Sequence, residues 1–155
     1  MKKFLILSLC ICCLFACSDD EEDSPIVGTW NEMYVLGTVY DLQSGEVVGE
    51  HGYSARTTIT LQNSGKLIWK NFGITSEGKY NISNNTLKFV IGSETISYTI
   101  EESSSNKLIL SNEITDQEKK LKEIIKHVFI KAGYQLTGED MIKYNSPYPE
   151  WGVKI

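Results

Sequence analysis

The chain has 155 residues, 15 of them basic and 20 acidic, and a formal net charge of −5. That length suits one domain with a modest core, and ordinary apolar content with only three prolines excludes a collagen-like or disordered chain. A single arginine, Arg56, on a mildly acidic background excludes the basic face that a nucleic-acid partner requires.

The first element in chain order is an N-terminal leader. Lys2 and Lys3 form a short positive region, and Phe4 to Leu14 is an almost unbroken apolar run. A helix needs about 20 apolar residues to span a bilayer, so this shorter run reads as a secretory signal over residues 1–16. It ends Leu14-Phe15-Ala16-Cys17, which resembles the lipobox of bacterial lipoproteins. The resemblance implies cleavage before Cys17, diacylglycerol on its thiol, and attachment to a membrane through that lipid. Stable anchoring takes more than one acyl chain, and lipoproteins of this type carry two or three.

Residues 17–24 hold the lipidated cysteine and an acidic spacer, Ser18 to Asp23. Charge repulsion keeps such a run solvated. The run also resembles the acidic export signal of Bacteroidota surface lipoproteins, which implies an outer-membrane location facing the cell surface. The two readings are compatible. Cys10, Cys12 and Cys13 leave with the signal and Cys17 is lipidated. The mature domain therefore has neither thiol nor disulfide and rests on its core and hydrogen bonds. Taking Lys2, Lys3 and the five acids of 19–23 from the totals leaves 13 basic and 15 acidic residues, so the folded part is nearly neutral.

Residues 25–155 then follow as one domain, and their dominant period is two. Val39 to Leu42 and Glu46 to Val48 suit a hairpin across Ser44-Gly45. Tyr53, Ala55, Thr57, Ile59 and Leu61 face one way along the next strand, which turns at Asn63-Ser64-Gly65 into a strand over Lys66 to Lys70. Phe72-Gly73 breaks the run, and Glu77 to Ser83 resumes it. Asn84-Asn85 is a tight-turn signal. Leu87, Phe89 and Ile91 alternate before Gly92-Ser93; Ile96, Tyr98 and Ile100 alternate before the polar turn at Ser103 to Asn106. Leu108 and Leu110 make a further strand. Hairpins in series predict an all-β antiparallel meander of about 7–8 strands, closed into a barrel that hides its edges.

One segment departs from this period. Leu121, Ile124, Ile125, Val128, Phe129 and Ala132 have helical spacing. Thr115 and Glu118 fit a capping box, and Gly133 fits a left-handed helix end. The expectation is one added α-helix near 115–132, packed outside the barrel with its lysines in water. The aromatic tail, Tyr134 to Ile155, includes Trp151 to Ile155, which reads as a last strand closing the sheet; the alternative is that its aromatics beside Pro147 and Pro149 form a binding lip.

The domain opens Ile26-Val27-Gly28-Thr29-Trp30. This resembles the Gly-x-Trp signature on the first strand of lipocalin-like barrels, and the chain looks like the lipocalin-like domains of small Bacteroidota surface lipoproteins. The resemblance implies that Gly28 lets the chain pass under the barrel floor and that Trp30 plugs that end. Lipocalins often stack an arginine of the last strand on that tryptophan. This tail has none, and Lys143 and Lys154 are the cations available to it. The predicted helix also precedes any final strand, unlike the lipocalin order.

Chemistry-bearing motifs are scarce. His51 lies in a glycine-rich loop beside Glu50, and His127 on the predicted helix. With no mature thiol these lack the ligand set of a zinc site. No nucleophile elbow, phosphate loop or dinucleotide fingerprint occurs, and the pair Glu101-Glu102 reads as solvated. The expectation is a protein that is not an enzyme and uses no metal or cofactor. Two functions remain open. One is a binding module for a small apolar molecule or a glycan, with Trp69, Tyr80, Phe89 and Tyr98 lining the site. The other is a structural or interaction subunit of an envelope or nutrient-uptake assembly, in which those aromatics fill a solid barrel.

Overall fold

The computed structural model describes residues 25–135. They form nine strands: β1 (Gly28–Asp41), β2 (Val47–Ser54), β3 (Thr58–Leu61), β4 (Lys66–Asn71), β5 (Ile74–Ser83), β6 (Thr86–Ile91), β7 (Glu94–Ser103), β8 (Lys107–Asp116) and β9 (Leu121–Lys131). From β3 onward each strand pairs antiparallel with the next, and β9 returns to β1 from Trp30↔Lys131 to Asp41↔Leu121. The long β1 serves two partners on its other edge, β3 with its first residues and β2 with its last. Across the break at 55–57, Ala55 N–H donates to the Met33 carbonyl and Glu32 N–H to the Thr57 carbonyl. β2 and β3 are thus two halves of one wall, and nine strands make an eight-walled closed antiparallel barrel.

The turns fall where the two-residue period stops, and their backbones show why. Asn84 (φ 53°) and Gly65 (φ 78°) take left-handed conformations, which asparagine and glycine adopt at low cost. Phe72 does the same at φ 47° without that excuse, and its ring lies in solvent.

Alternation sends one face of every strand inward. The floor of the barrel is a dry cluster that includes Trp30, Ile59, Leu61, Leu67, Leu87, Phe89, Leu108, Leu110 and Phe129. The turns after β3, β5 and β7 lie at this end, together with Ile26 and Val27. The hairpin tips after β1, β4, β6 and β8 stand at the other end, the mouth.

The helix expected near 115–132 is not present. That stretch holds the end of β8, a turn at 117–120, and β9. Asp116, rather than a Thr115–Glu118 box, organises the turn: its Oδ1 accepts from Lys119 N–H at 3.0 Å, and this donation holds its carboxyl below the usual carboxylate range. Lys120 closes the turn at φ 53°. Gly133 does have positive φ (85°), but it follows a strand. The helical spacing arises because both faces of β9 are buried near its end: Phe129 points into the core, while Val128 and Ile130 point outward and are only 3% and 6% exposed. Such a strand loses its polar alternation. Lys122 and Lys126 lie on the outer face and pair with Glu113 and Glu101. The seam is closed by β9 against β1; the strand expected at 151–155 lies outside the described residues. The leader, Cys17, the acidic spacer, Lys143 and Lys154 also lie outside them.

Candidate functional site

The floor is built first, from β1 and the end of β9. Trp30 is fully buried, and its indole N–H donates to the Ile26 carbonyl at 2.8 Å. Lys131 lies beneath it on the closed side. Its ammonium donates to the Val27 carbonyl at 2.7 Å and stands 4.8 Å from the Trp30 ring centroid, within cation–π reach. Lys131 thus supplies a cation beneath Trp30; Lys143 and Lys154, the cations the tail offered, lie outside the described residues. Gly28 has φ 139°, and a Cβ there would meet Lys131 Cε at 2.6 Å. Glycine is therefore favoured by the backbone conformation, and a Cβ would displace the end of the Lys131 side chain from beneath Trp30.

Above the floor an aromatic row crosses the interior. Trp69 meets Phe89 edge-on with centroids 5.7 Å apart, Phe89 meets Tyr98 at 5.4 Å, and Tyr98 meets His127 at 5.3 Å. His127 then stacks on Phe129 at 6.4 Å. Three of the four aromatics singled out from sequence are therefore brought together, with Phe89 wholly inside the core. Tyr80 packs against the same core beside Phe89 but makes none of these ring contacts. Its hydroxyl donates to the Gln62 carbonyl at the closed end.

The row carries a polar group that sequence reading missed. Glu32 is 6% exposed, and its Oε1 accepts from His127 Nδ1–H at 2.6 Å. The other ring nitrogen lies 3.2 Å from Asn112 Oδ1. Burial, and then the Glu32 carboxylate, push the neighbouring Tyr98 hydroxyl up from its usual value of 10.0 to about 12. A buried carboxylate in a barrel is costly unless it is paired, and His127 supplies the pair from a strand 95 residues away. Sequence reading placed His127 on a helix. Read instead as a strand, 121–131 sets Glu123, Ile125, His127 and Phe129 on one face, which is the signal that would have found the site.

Toward the mouth the inward positions open to water. Ile96 is 37% exposed, Ile114 51% and Tyr53 57%, although their registers place them in line with Phe89, Glu123 and Val35. A second histidine–carboxylate pair spans this rim. His51 Nε2 lies 3.1 Å from Glu123 Oε1, so His51 is partnered from β9 and not by Glu50. The pair crosses β1 over Gly37, where a Cβ would overlap both side chains. The interior is therefore a cup: a dry apolar base, an aromatic and carboxylate layer, and an open rim. A shallow groove of about 560 Å³ on the outside of β4 and β5, lined by Ser64, Lys66, Glu77, Lys79 and Tyr80 among others, is separate from it. Among the described residues no group of three histidine, cysteine, aspartate or glutamate side chains is arranged to hold a metal ion.

No protein-family model and no curated protein matches the chain. Solved structures do. Insecticyanin from the tobacco hornworm Manduca sexta superposes with a TM-score of 0.52 at 14% identity, over 79% of this chain and 69% of that one. A deswapped triple mutant of bovine odorant binding protein gives 0.43 at 18% identity, over 84% and 89%. A dog lipocalin allergen gives 0.41 at 18%, over 83% and 87%. At 14% identity the insecticyanin likeness speaks of fold alone, and with the eight-walled closed barrel and the Gly28–Trp30–Lys131 floor it makes the described domain a lipocalin-like β-barrel.

Proposed function

We propose that this chain is a lipid-anchored binding protein of the outer-membrane surface, whose barrel mouth takes up a small molecule with an apolar body. The observation that carries the binding half is the gradient along the inward face. Residues sealed at the floor give way to Ile96, Ile114 and Tyr53, which face inward and yet meet solvent. A barrel that served only as a solid spacer would have no reason to leave apolar side chains wet on its inside. The anchoring half rests on Lys2, Lys3, the apolar run 4–14, the Leu14–Cys17 box and the acids of 19–23.

Binding is tested with the purified lipoprotein in phosphatidylcholine nanodiscs and the neutral fluorophore N-phenyl-1-naphthylamine. Tryptophan-to-probe energy transfer above that of empty nanodiscs is expected, because Trp69 adjoins the cup. No transfer would leave the barrel without a ligand. Anchoring is tested by labelling cells with palmitate. Cys17→Ser should give an unlabelled, uncleaved precursor, and label persisting in that variant would refute the assignment. Alanine at 19–23 should retain label but hide the domain from protease added to intact cells.

A further inference from the structure

Charge is segregated across the barrel wall. Among the described strand residues, Lys66, Lys70, Lys79, Lys88, Lys122 and Lys126 all take outward positions. The one inward lysine, Lys131, is engaged beneath Trp30 on the closed side. Above Trp30 the inward positions of the described strands hold Glu32, Glu94 and Glu123, and among those strand positions no lysine or arginine. Asp41 and Asp116 also lie on inward positions at the hairpin tips, where their own turns engage them. Even with both His51 and His127 protonated, the three glutamates would leave the cup net negative.

A second observation lies at the bottom of the cup. Tyr98 is 6% exposed, and among the described residues its hydroxyl has no hydrogen-bond partner. Among the described residues no side-chain polar atom that is sealed from solvent lacks one, so the hydroxyl of this inward residue reaches the space of the cup, beside the Glu32–His127 pair. A nearly buried hydroxyl next to a carboxylate, with no partner of its own, is an incomplete polar site.

The geometry points to a ligand with an apolar body and a cationic, hydrogen-donating head such as a primary ammonium. The head would lie against Glu32 and Tyr98, and the body would rise between Ile96, Ile114 and Ile125. An ammonium donates to both the carboxylate and the phenol oxygen, whereas a carboxylate head would meet Glu32 as a like charge in a weakly screened interior. This inference rests on the binding reading above and narrows it to one class of head group.

The experiment displaces N-phenyl-1-naphthylamine from the nanodisc-bound lipoprotein with three ligands of one chain length: octylammonium, octanol and octanoate. Octylammonium is expected to displace the probe at a concentration lower by roughly tenfold or more than octanoate, with octanol between, the ratio expected of one charge-assisted contact. Glu32→Gln keeps the acceptor for His127 and removes the charge, so it should bring the ammonium-to-carboxylate ratio close to one, each concentration being read against the variant's own affinity for the probe. Should that variant not fold, Tyr98→Phe decides: octylammonium should weaken several-fold relative to the probe. The inference is overturned if octanoate competes as well as octylammonium, or if the preference is unchanged in Glu32→Gln or, where that variant does not fold, in Tyr98→Phe. Absence of any probe binding would remove the broader reading and this inference with it.

Discussion

The barrel is dry at one end and wet at the other, although the same strands build both. β1 supplies Trp30 to the floor and Gly37 to the rim; β9 supplies Phe129 and Lys131 to the floor and Glu123 to the rim. Even the chemistry repeats. One histidine–glutamate pair, His127–Glu32, sits in the interior at 2.6 Å with side chains 18% and 5% exposed; the other, His51–Glu123, spans the rim at 3.1 Å with 51% and 28%. The difference teaches that position along a strand, and not residue type, sets what a pair is worth. In the interior a carboxylate depends on its imidazole, because water is not there to replace it. At the rim either partner can be lost to solvent at little cost.

The largest effect should come from breaking the dry end. Trp30 is the largest wholly buried side chain among the described residues, and it holds both the Ile26 carbonyl and the Lys131 ammonium. Trp30→Ala should cost about 3–5 kcal/mol through lost transfer energy and a cavity. That is a large share of the roughly 5–15 kcal/mol a domain of this size has. A denaturant midpoint equal to that of the parent would mean that the floor is not where stability resides.

The next effect separates the two histidines. His127→Ala leaves the Glu32 carboxylate buried without its donor, and about 2–3 kcal/mol should be lost. Glu32→Gln, which retains an acceptor for Nδ1–H, should cost less than His127→Ala. Equal losses in the two variants would show that the imidazole contributes by packing between Tyr98 and Phe129 and not by compensating charge.

Much of the barrel is legible in the sequence, and the illegible parts have a common cause. The hairpins from Ile59 to Ile100 declare themselves because one face is apolar and the other wet, so Leu87-Lys88-Phe89 and Ile96-Ser97-Tyr98 alternate cleanly. The floor is legible from Gly28 and Trp30. β9 is not, because Val128, Phe129 and Ile130 are buried in succession, and an apolar run flanked by lysines satisfies a helical template as well as a strand. Misreading β9 hides the cup, since the partners of Glu32 and His51 both lie on it. Those pairings run from 32 to 127 and from 51 to 123 along the chain, and only the closed topology brings them within reach.

The smallest effect should come from the rim, and it is the sharpest test of the comparison. Glu123→Gln alters the same kind of pair as Glu32→Gln, on the same inward face of the barrel, but in a place where His51 is half in water. An exposed ion pair contributes about 0–1 kcal/mol, less as salt is added, so the change in stability should be at most about 0.5 kcal/mol. The substituted amide would still reach His51 over Gly37, which keeps the rim's shape while removing its charge. Thermal or denaturant midpoints of Glu123→Gln and His127→Ala, measured side by side at low and high salt, decide the matter. A small, salt-sensitive loss at the rim against a larger, salt-insensitive loss in the interior is the expected pattern. Comparable losses would mean that the rim pair is an integral strut of the barrel, closing the mouth across β1, and the picture of a rigid floor beneath a freely hydrated rim would fail.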